Sequence, residues 1–202
     1  MNAHGLWFDS GRTCLDLLAT GGPERLSGPA ELHRWLLGAG LLPPGPARRP
    51  VPVDGGWPPR FRALRADLAP LVRAALPAPP PGSAPRPATP RLPAAALARV
   101  NTLALLAPPG LCAVRGADGA LVRELRGADC GALLAAVARD AVELLTDPAE
   151  RALLRACAGD GCTRLYLDAS RGHRRLWCSS ELCGNRERVA RHRRRTLADR
   201  PA

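Results

Sequence analysis

The chain has 202 residues, of which 46% are hydrophobic and 23% charged, so it can bury a core and global disorder is excluded. No apolar run approaches the roughly 20 residues that cross a bilayer, and residues 1–8 lack a basic region followed by an apolar run. We therefore expect a cytoplasmic protein with no membrane partner. The formal net charge of +11 comes from arginine without lysine, so its location along the chain is more informative than its total.

The N-terminal part of the sequence predicts helices. A strand or short helix is expected at residues 14–18, and a helix begins at Pro29, because proline suits a first helical turn. Helical spacing of apolar residues predicts a further helix over 61–76, in which Pro70 forces a kink or a restart. Another helix is expected over 94–106.

Two proline-rich stretches, residues 43–60 and 77–93, lack periodicity and predict a surface loop and a linker. The length of the chain suits one main domain and one small module. We expect a mainly helical domain over 1–150 and a small C-terminal module over 151–202.

A β-hairpin is predicted inside the helical domain. Residues 111–114 and 121–125 have strand composition and flank Asp118-Gly119, a favoured hairpin turn. Asp129 is expected to cap the strongly apolar helix that follows. The fold class is therefore α+β and mainly α.

The segment after residue 146 predicts one more helix. Asp147 is its expected cap, Pro148 occupies the first turn and Glu150 completes a capping box. We expect this helix to run without interruption to Cys157 and to dock the C-terminal module on the body.

Four cysteines form two pairs of equal internal spacing, Cys157 with Cys162 and Cys178 with Cys183. Four thiolates joined by a hairpin-length spacer suit one tetrahedral Zn²⁺ ion and leave no open position for catalysis. Two disulfides, or isolated buried or redox cysteines, are the alternatives; the first needs an oxidising compartment and the second usually has a tighter spacing.

The spacer and the residues after the last cysteine predict the shape of the module. Residues 165–167 and 175–177 resemble two short strands around a turn, which would bring the cysteine pairs together. Asn185 is placed to cap a basic helix over 186–195. The expected module is thus a knuckle, a hairpin and a helix.

Positive charge is concentrated in this module, where residues 151–202 hold thirteen arginines against five acids. Such a helix suits the phosphates and major groove of duplex DNA. A solvated helix without a ligand is the alternative, and Arg174, Arg175 or Arg186 could instead offset the charge of the zinc thiolates. The candidate nucleic-acid-binding residues are Arg175, Arg186, Arg188, Arg191, Arg193, Arg194 and Arg195.

No catalytic constellation is visible in the sequence. The four histidines are scattered, and no Ser-His-Asp order, phosphate loop or His-Glu-x-x-His motif occurs, so we expect no enzyme. Cys14, Cys112 and Cys130 lack ligand spacing and are predicted to be small buried hydrophobic residues.

The residues from Cys162 to Arg186 resemble the CGNR zinc finger, a family named for the motif that stands here as Cys183-Gly184-Asn185-Arg186. Trp177 belongs to the same pattern, whereas Tyr166 stands where the family usually has Phe and Gly172 where Asn is common. Leu176 replaces an arginine and removes one phosphate contact. The resemblance implies a DNA-binding module of bacterial transcription regulators.

The N-terminal residues 11–20 and 32–41 resemble the ABATE domain, which precedes this finger and is described as a stress-induced transcription regulator. The combined resemblance implies a regulator that binds double-stranded DNA, with a homodimer and a small-molecule effector as further expectations. A zinc-stapled module that meets RNA or an acidic protein through its arginines is the alternative.

Overall fold

The computed structural model describes residues 5–44, 50–77 and 92–198, with the backbone alone for 194–198. Its order of elements confirms the α+β, mainly helical class. Within the described residues, no helix has both the length and the apolar character to cross a bilayer. The elements are α1 (Thr13–Leu18), α2 (Pro29–Gly38), α3 (Trp57–Ala74), α4 (Ala94–Ala104), β1 (Gly110–Arg115), β2 (Leu121–Arg126), α5 (Cys130–Thr146), α6 (Pro148–Leu153), β3 (Leu154–Ala156), β4 (Leu165–Leu167) and α7 (Asn185–Ala198).

Helix α5 is the centre of the body and packs against α1, α3 and α4. Its inner face is aliphatic, and Leu133, Val137 and Leu144 are completely buried. The helix begins as predicted, because the Asp129 carboxylate accepts a hydrogen bond from the Ala132 N–H at 2.8 Å. Burial of this face stabilises the body, since each fully buried aliphatic side chain contributes about 1.5–3 kcal/mol.

The predicted restart at Pro70 is wrong, because α3 is one helix from Trp57 to Ala74 with Pro70 inside it. The alternative, a kink at Pro70, stays a prediction. Leu68 and Leu71 are completely buried on either side of Pro70 and hold both halves against the core. The helix also begins earlier than predicted, since Pro58 lies in its first turn, where a missing N–H leaves no hydrogen bond unmade.

The structure describes only part of each proline-rich stretch. Residues 50–56 lead into α3 without regular structure, as predicted, whereas 45–49 and 78–91 lie outside the described residues. The prediction of a linker over 77–93 therefore falls almost entirely on residues that the structure does not describe.

The β1–β2 hairpin has the predicted position and turn. The strands are antiparallel, with Leu111 opposite Leu125. Gly119 follows Asp118 in the turn with φ of +82°, a left-handed conformation that glycine adopts without strain.

The predicted continuous helix to Cys157 is wrong. Asp147 caps α6 by accepting a hydrogen bond from the Ala149 N–H at 2.8 Å, but the helix ends at Leu153. Leu154 turns to an extended conformation with ψ of 129°, and β3 then pairs with β4. The extended chain places Leu154 in the main core, which a continued helix would not do. The body and the module therefore meet through a strand pair.

The predicted hairpin between residues 165–167 and 175–177 is also wrong, because β4 pairs with β3 and the later segment is not a strand. The Asp168 carboxylate gathers the intervening loop by accepting hydrogen bonds from the N–H groups of Ser170 at 3.1 Å and Arg175 at 3.0 Å. The Arg175 N–H therefore bonds a side chain and takes no part in strand pairing. The two cysteine pairs still meet, but a loop joins them.

Candidate metal centre and nucleic-acid interface

The four paired cysteines converge on one point. All four sulfurs lie within 4.8 Å of one another. The Cys162 and Cys178 sulfurs are 3.8 Å apart, and those of Cys178 and Cys183 are 3.7 Å apart. Zn–S bonds of about 2.3 Å in a tetrahedron require sulfurs about 3.8 Å apart. The arrangement suits one structural zinc ion, and none of these four sulfurs is joined to another in a disulfide.

The first cysteine pair is shaped by backbone donors. The N–H groups of Gly159 and Cys178 point at the Cys157 sulfur, at 3.4 Å and 3.2 Å. A side chain at Gly159 would lie 3.1 Å from the Cys183 β-carbon, so glycine is required for the close approach of the two pairs. The loop is therefore built around the sulfur cluster.

The thiols differ in acidity before metal enters. Burial opposes ionisation of Cys157, but the N–H donors of Cys178 and Gly159 outweigh it and lower the pKa of this thiol. Burial raises the pKa of Cys178, and it raises the pKa of Cys183 to about 11. Because metal ligation requires thiolates, zinc binding must release protons from this cluster.

The second cysteine pair lies in a capped turn. Residues Ser180–Gly184 form a π-helical turn, and the Ser179 hydroxyl accepts hydrogen bonds from the N–H groups of Glu181 and Leu182, both at 3.2 Å. The predicted capping role of Asn185 is wrong, because the chain is already helical there, with φ of −68° and ψ of −44°. Cys183 is thus fixed one residue before the end of the turn that leads into α7.

Arg175 is committed to the inside of the module. Its guanidinium lies over the Tyr166 ring at 4.6 Å, and its Nε donates a hydrogen bond to the Trp177 carbonyl at 2.8 Å. The Tyr166 hydroxyl in turn donates to the Arg175 carbonyl at 2.6 Å. A DNA contact by Arg175 stays a prediction, and these bonds show a structural use of the same group.

Arg164 contacts a cysteine sulfur, a role that the sequence did not predict. One of its terminal nitrogens lies 3.9 Å from the Cys178 sulfur, and its guanidinium lies 5.0 Å above the Trp7 ring. Its position between a cysteine ligand and β4 carried no signal that set it apart from the other arginines of the module. Arg164 offsets the negative charge of the Cys178 thiolate, whereas the sequence indicated Arg174, Arg175 or Arg186 as candidates for this role.

Helix α7 carries exposed arginines, of which Arg186 and Arg188 also donate to module carbonyls, those of Asp160 at 3.5 Å and Ser180 at 3.3 Å. Arg186, Arg188, Arg191 and Arg193 are exposed. The acid of the helix, Glu187, is turned to the module, where its carboxylate accepts a hydrogen bond from the Asp160 N–H at 3.1 Å. The described arginines of the helix form no ion pair with any described acid. Arg194 and Arg195 lie on the same helix.

Two family models match the chain. Residues 11–148 match ABATE, described as "Putative stress-induced transcription regulator", and residues 153–196 match the CGNR zinc finger. Neither description names an enzyme. A search of curated proteins found no match. The first family model covers more than half of the chain and the second contains all four converging cysteines. The chain therefore belongs to the ABATE family and carries a CGNR zinc finger with one structural zinc site.

Proposed function

We propose that this protein is a transcription regulator of the cytoplasm that binds duplex DNA through helix α7. One observation supports this proposal. The helix is anchored by the metal centre and carries exposed arginines whose charge no described acid neutralises. The helix follows directly from the turn that holds Cys183, so its start is fixed by the metal centre. A cationic helix of this kind suits the dense negative charge of a duplex, because each neutralised phosphate releases counterions.

Geometry divides the candidate residues by role. Arg188, Arg191 and Arg195 are spaced i, i+3 and i+7, which places them on one helical face. This face is our candidate for the groove, where arginine can bind guanine edges in bidentate fashion. Arg186, Arg193 and Arg194 widen the cationic surface toward the phosphates on either side.

The test is a fluorescence anisotropy titration of a random-sequence DNA duplex with the zinc-loaded full chain at several salt concentrations. Changing Arg188 and Arg191 to Ala together should weaken binding at low salt and reduce the slope of log K against log salt by about 2. Zinc content should stay unchanged, because neither side chain contacts a sulfur in the described structure.

The matched control changes Arg115 and Arg123 to Ala, which removes the same charge from the β1–β2 hairpin. This variant should keep the salt slope of the parent protein. Failure of the zinc-loaded parent to bind duplex DNA at low salt would contradict the proposal. Tighter binding of single-stranded RNA than of duplex DNA would contradict it as well, and would favour an RNA-associated module.

A further inference from the structure

A cleft lies between the helical body and the zinc module. Its volume is about 510 Å³, within the range of sites that hold small molecules. The body contributes residues around the end of α1 and the outer face of α3, and the module contributes the loop before β4 and the turn before α7. Cys162 and Cys183 form part of the wall, so the cleft adjoins the metal centre.

The walls of the cleft are strongly cationic. Five arginines line it, and no described lining residue is an acid. The lining arginines are Arg25, Arg65, Arg73, Arg164 and Arg186.

These charges exceed what the structure itself uses. Arg65 is paired with Glu24, with a nitrogen-to-oxygen distance of 2.5 Å, and this pair holds the pKa of Glu24 at about 2. Arg164 bonds a ligand sulfur. Arg25 is engaged in an interaction of its own. Of the four positive charges on the other lining arginines, one remains even when Glu24 and the dianion of a zinc tetrathiolate are both subtracted. Arg73 is exposed and forms no ion pair with a described acid.

Small residues line the cleft together with the arginines. Gly21, Gly22, Ala66 and Ala69 line the same cleft. A side chain at Gly21 would lie 3.3 Å from the Arg65 Nε, so this glycine lets the guanidinium reach the cleft wall. The cleft therefore combines unneutralised charge with free volume.

We propose that this cleft binds a small polyanion, a molecule with two or more phosphate or carboxylate groups. Guanidinium groups bind both kinds of anion in bidentate fashion. A duplex presents its phosphates on a convex surface, whereas these arginines line a cleft between the body and the module. The occupant contacts the start of α7 through Arg186 and the cysteine loop through Arg164. The assignment of this cleft as the effector site of the regulator rests on the proposed function, whereas the binding of a polyanion does not depend on DNA binding.

The test is isothermal titration of the zinc-loaded full chain at low salt with fructose 1,6-bisphosphate and, separately, with glutarate. We expect at least one of them to bind, with fructose as the uncharged control that does not. Arg73→Ala should weaken that binding about tenfold or more, because a charge-assisted contact is lost. Ala66→Glu should abolish it by placing a carboxylate at an exposed position in the cleft.

Arg115→Ala, at an exposed position outside the cleft, is the matched control and should bind as the parent does. Absence of binding by both anions overturns the proposal, as does equal weakening by Arg73→Ala and Arg115→Ala. If Arg73→Ala weakens binding of duplex DNA and leaves binding of the bisphosphate unchanged, the cleft belongs to the DNA interface and the proposal is wrong. Zinc content measured after each titration shows whether the metal centre stays intact.

Discussion

The helical body and the zinc module are held together by different forces. The body buries a large apolar cluster in which the Trp35 and Phe61 rings meet edge to face, with centroids 5.9 Å apart. The separate core of the module consists of Tyr166 and three buried cysteines. A cluster of this size cannot offset the conformational entropy of about forty ordered residues. Apolar burial therefore suffices for the body, whereas the module requires its metal.

The largest expected effect comes from removing that metal. Changing Cys183 to Ser, or chelating zinc, should unfold the segment from Trp177 through α7 while α5 stays protected. Structural zinc binding is worth on the order of 10 kcal/mol, which is more than the apolar contacts of the module provide. Hydrogen exchange followed by mass spectrometry should show loss of protection in that segment alone.

The control for this experiment is Cys112→Ser, a change to a partly exposed cysteine that is outside the cluster. It should retain stoichiometric zinc and the exchange pattern of the parent. Loss of protection throughout α5 in the zinc-free protein would show that the body also depends on the metal, and the contrast between the two regions would fail.

The converse experiment destabilises the body and leaves the metal centre unchanged. Phe61 is completely buried, so Phe61→Ala should lower the free energy of unfolding of the body by about 3–5 kcal/mol. Urea denaturation monitored by circular dichroism measures this loss, and competition with a zinc chelator should show unchanged metal affinity. Leu121→Ala, at a side chain that is 74% exposed, should change stability by less than about 0.5 kcal/mol.

A smaller effect distinguishes the two regions by pH. Burial raises the pKa of Asp16 to about 7, although the Ser10 N–H donates to it at 3.2 Å and acts in the other direction. The folded pKa lies above the unfolded one, so the contribution of this carboxyl to stability is complete below about pH 4 and is lost as the pH rises through 7. Asp16→Asn should therefore be more stable than the parent, with an advantage that grows by about 1 kcal/mol between pH 6 and pH 8.

Urea denaturation at the two pH values tests this expectation, and an advantage that does not change with pH would contradict it. The module should respond in the opposite direction. Because burial raises the pKa of Cys183 to about 11, its thiol must lose a proton to bind zinc, and metal affinity should increase over the same pH interval.

The sequence predicted those features that depend on neighbouring residues. The Asp129 cap, the Asp118-Gly119 turn and the spacing of the four cysteines each act within a few positions, and the structure confirms all of them. The pairing of β3 with β4 was missed because a three-residue strand has too little pattern to reveal its partner.

The errors at the metal centre have the same origin. Ser179 and Asn185 are both residue types that cap helices. Because the π-helical turn begins directly after Ser179, Ser179 is the cap and Asn185 already lies within the helix. Arg164 and Arg175 look alike in sequence, yet the first reaches a sulfur and the second an aromatic ring, which tertiary packing alone determines.

The strand pair that joins the two regions has a consequence for how the protein can be divided. Leu154, Leu165 and Leu167 lie within the region matched by the zinc finger family, yet they are part of the core of the body. The Leu167 N–H also donates to the Ser10 carbonyl at 2.8 Å, which ties the finger to the beginning of the described chain. Cutting the polypeptide between the two family regions would remove these leucines from the core of the N-terminal fragment. On the C-terminal fragment the same leucines would be exposed to solvent. The finger is therefore not an independent folding unit. Transfer of the finger to another protein would require an apolar surface on that protein that buries the three leucine side chains.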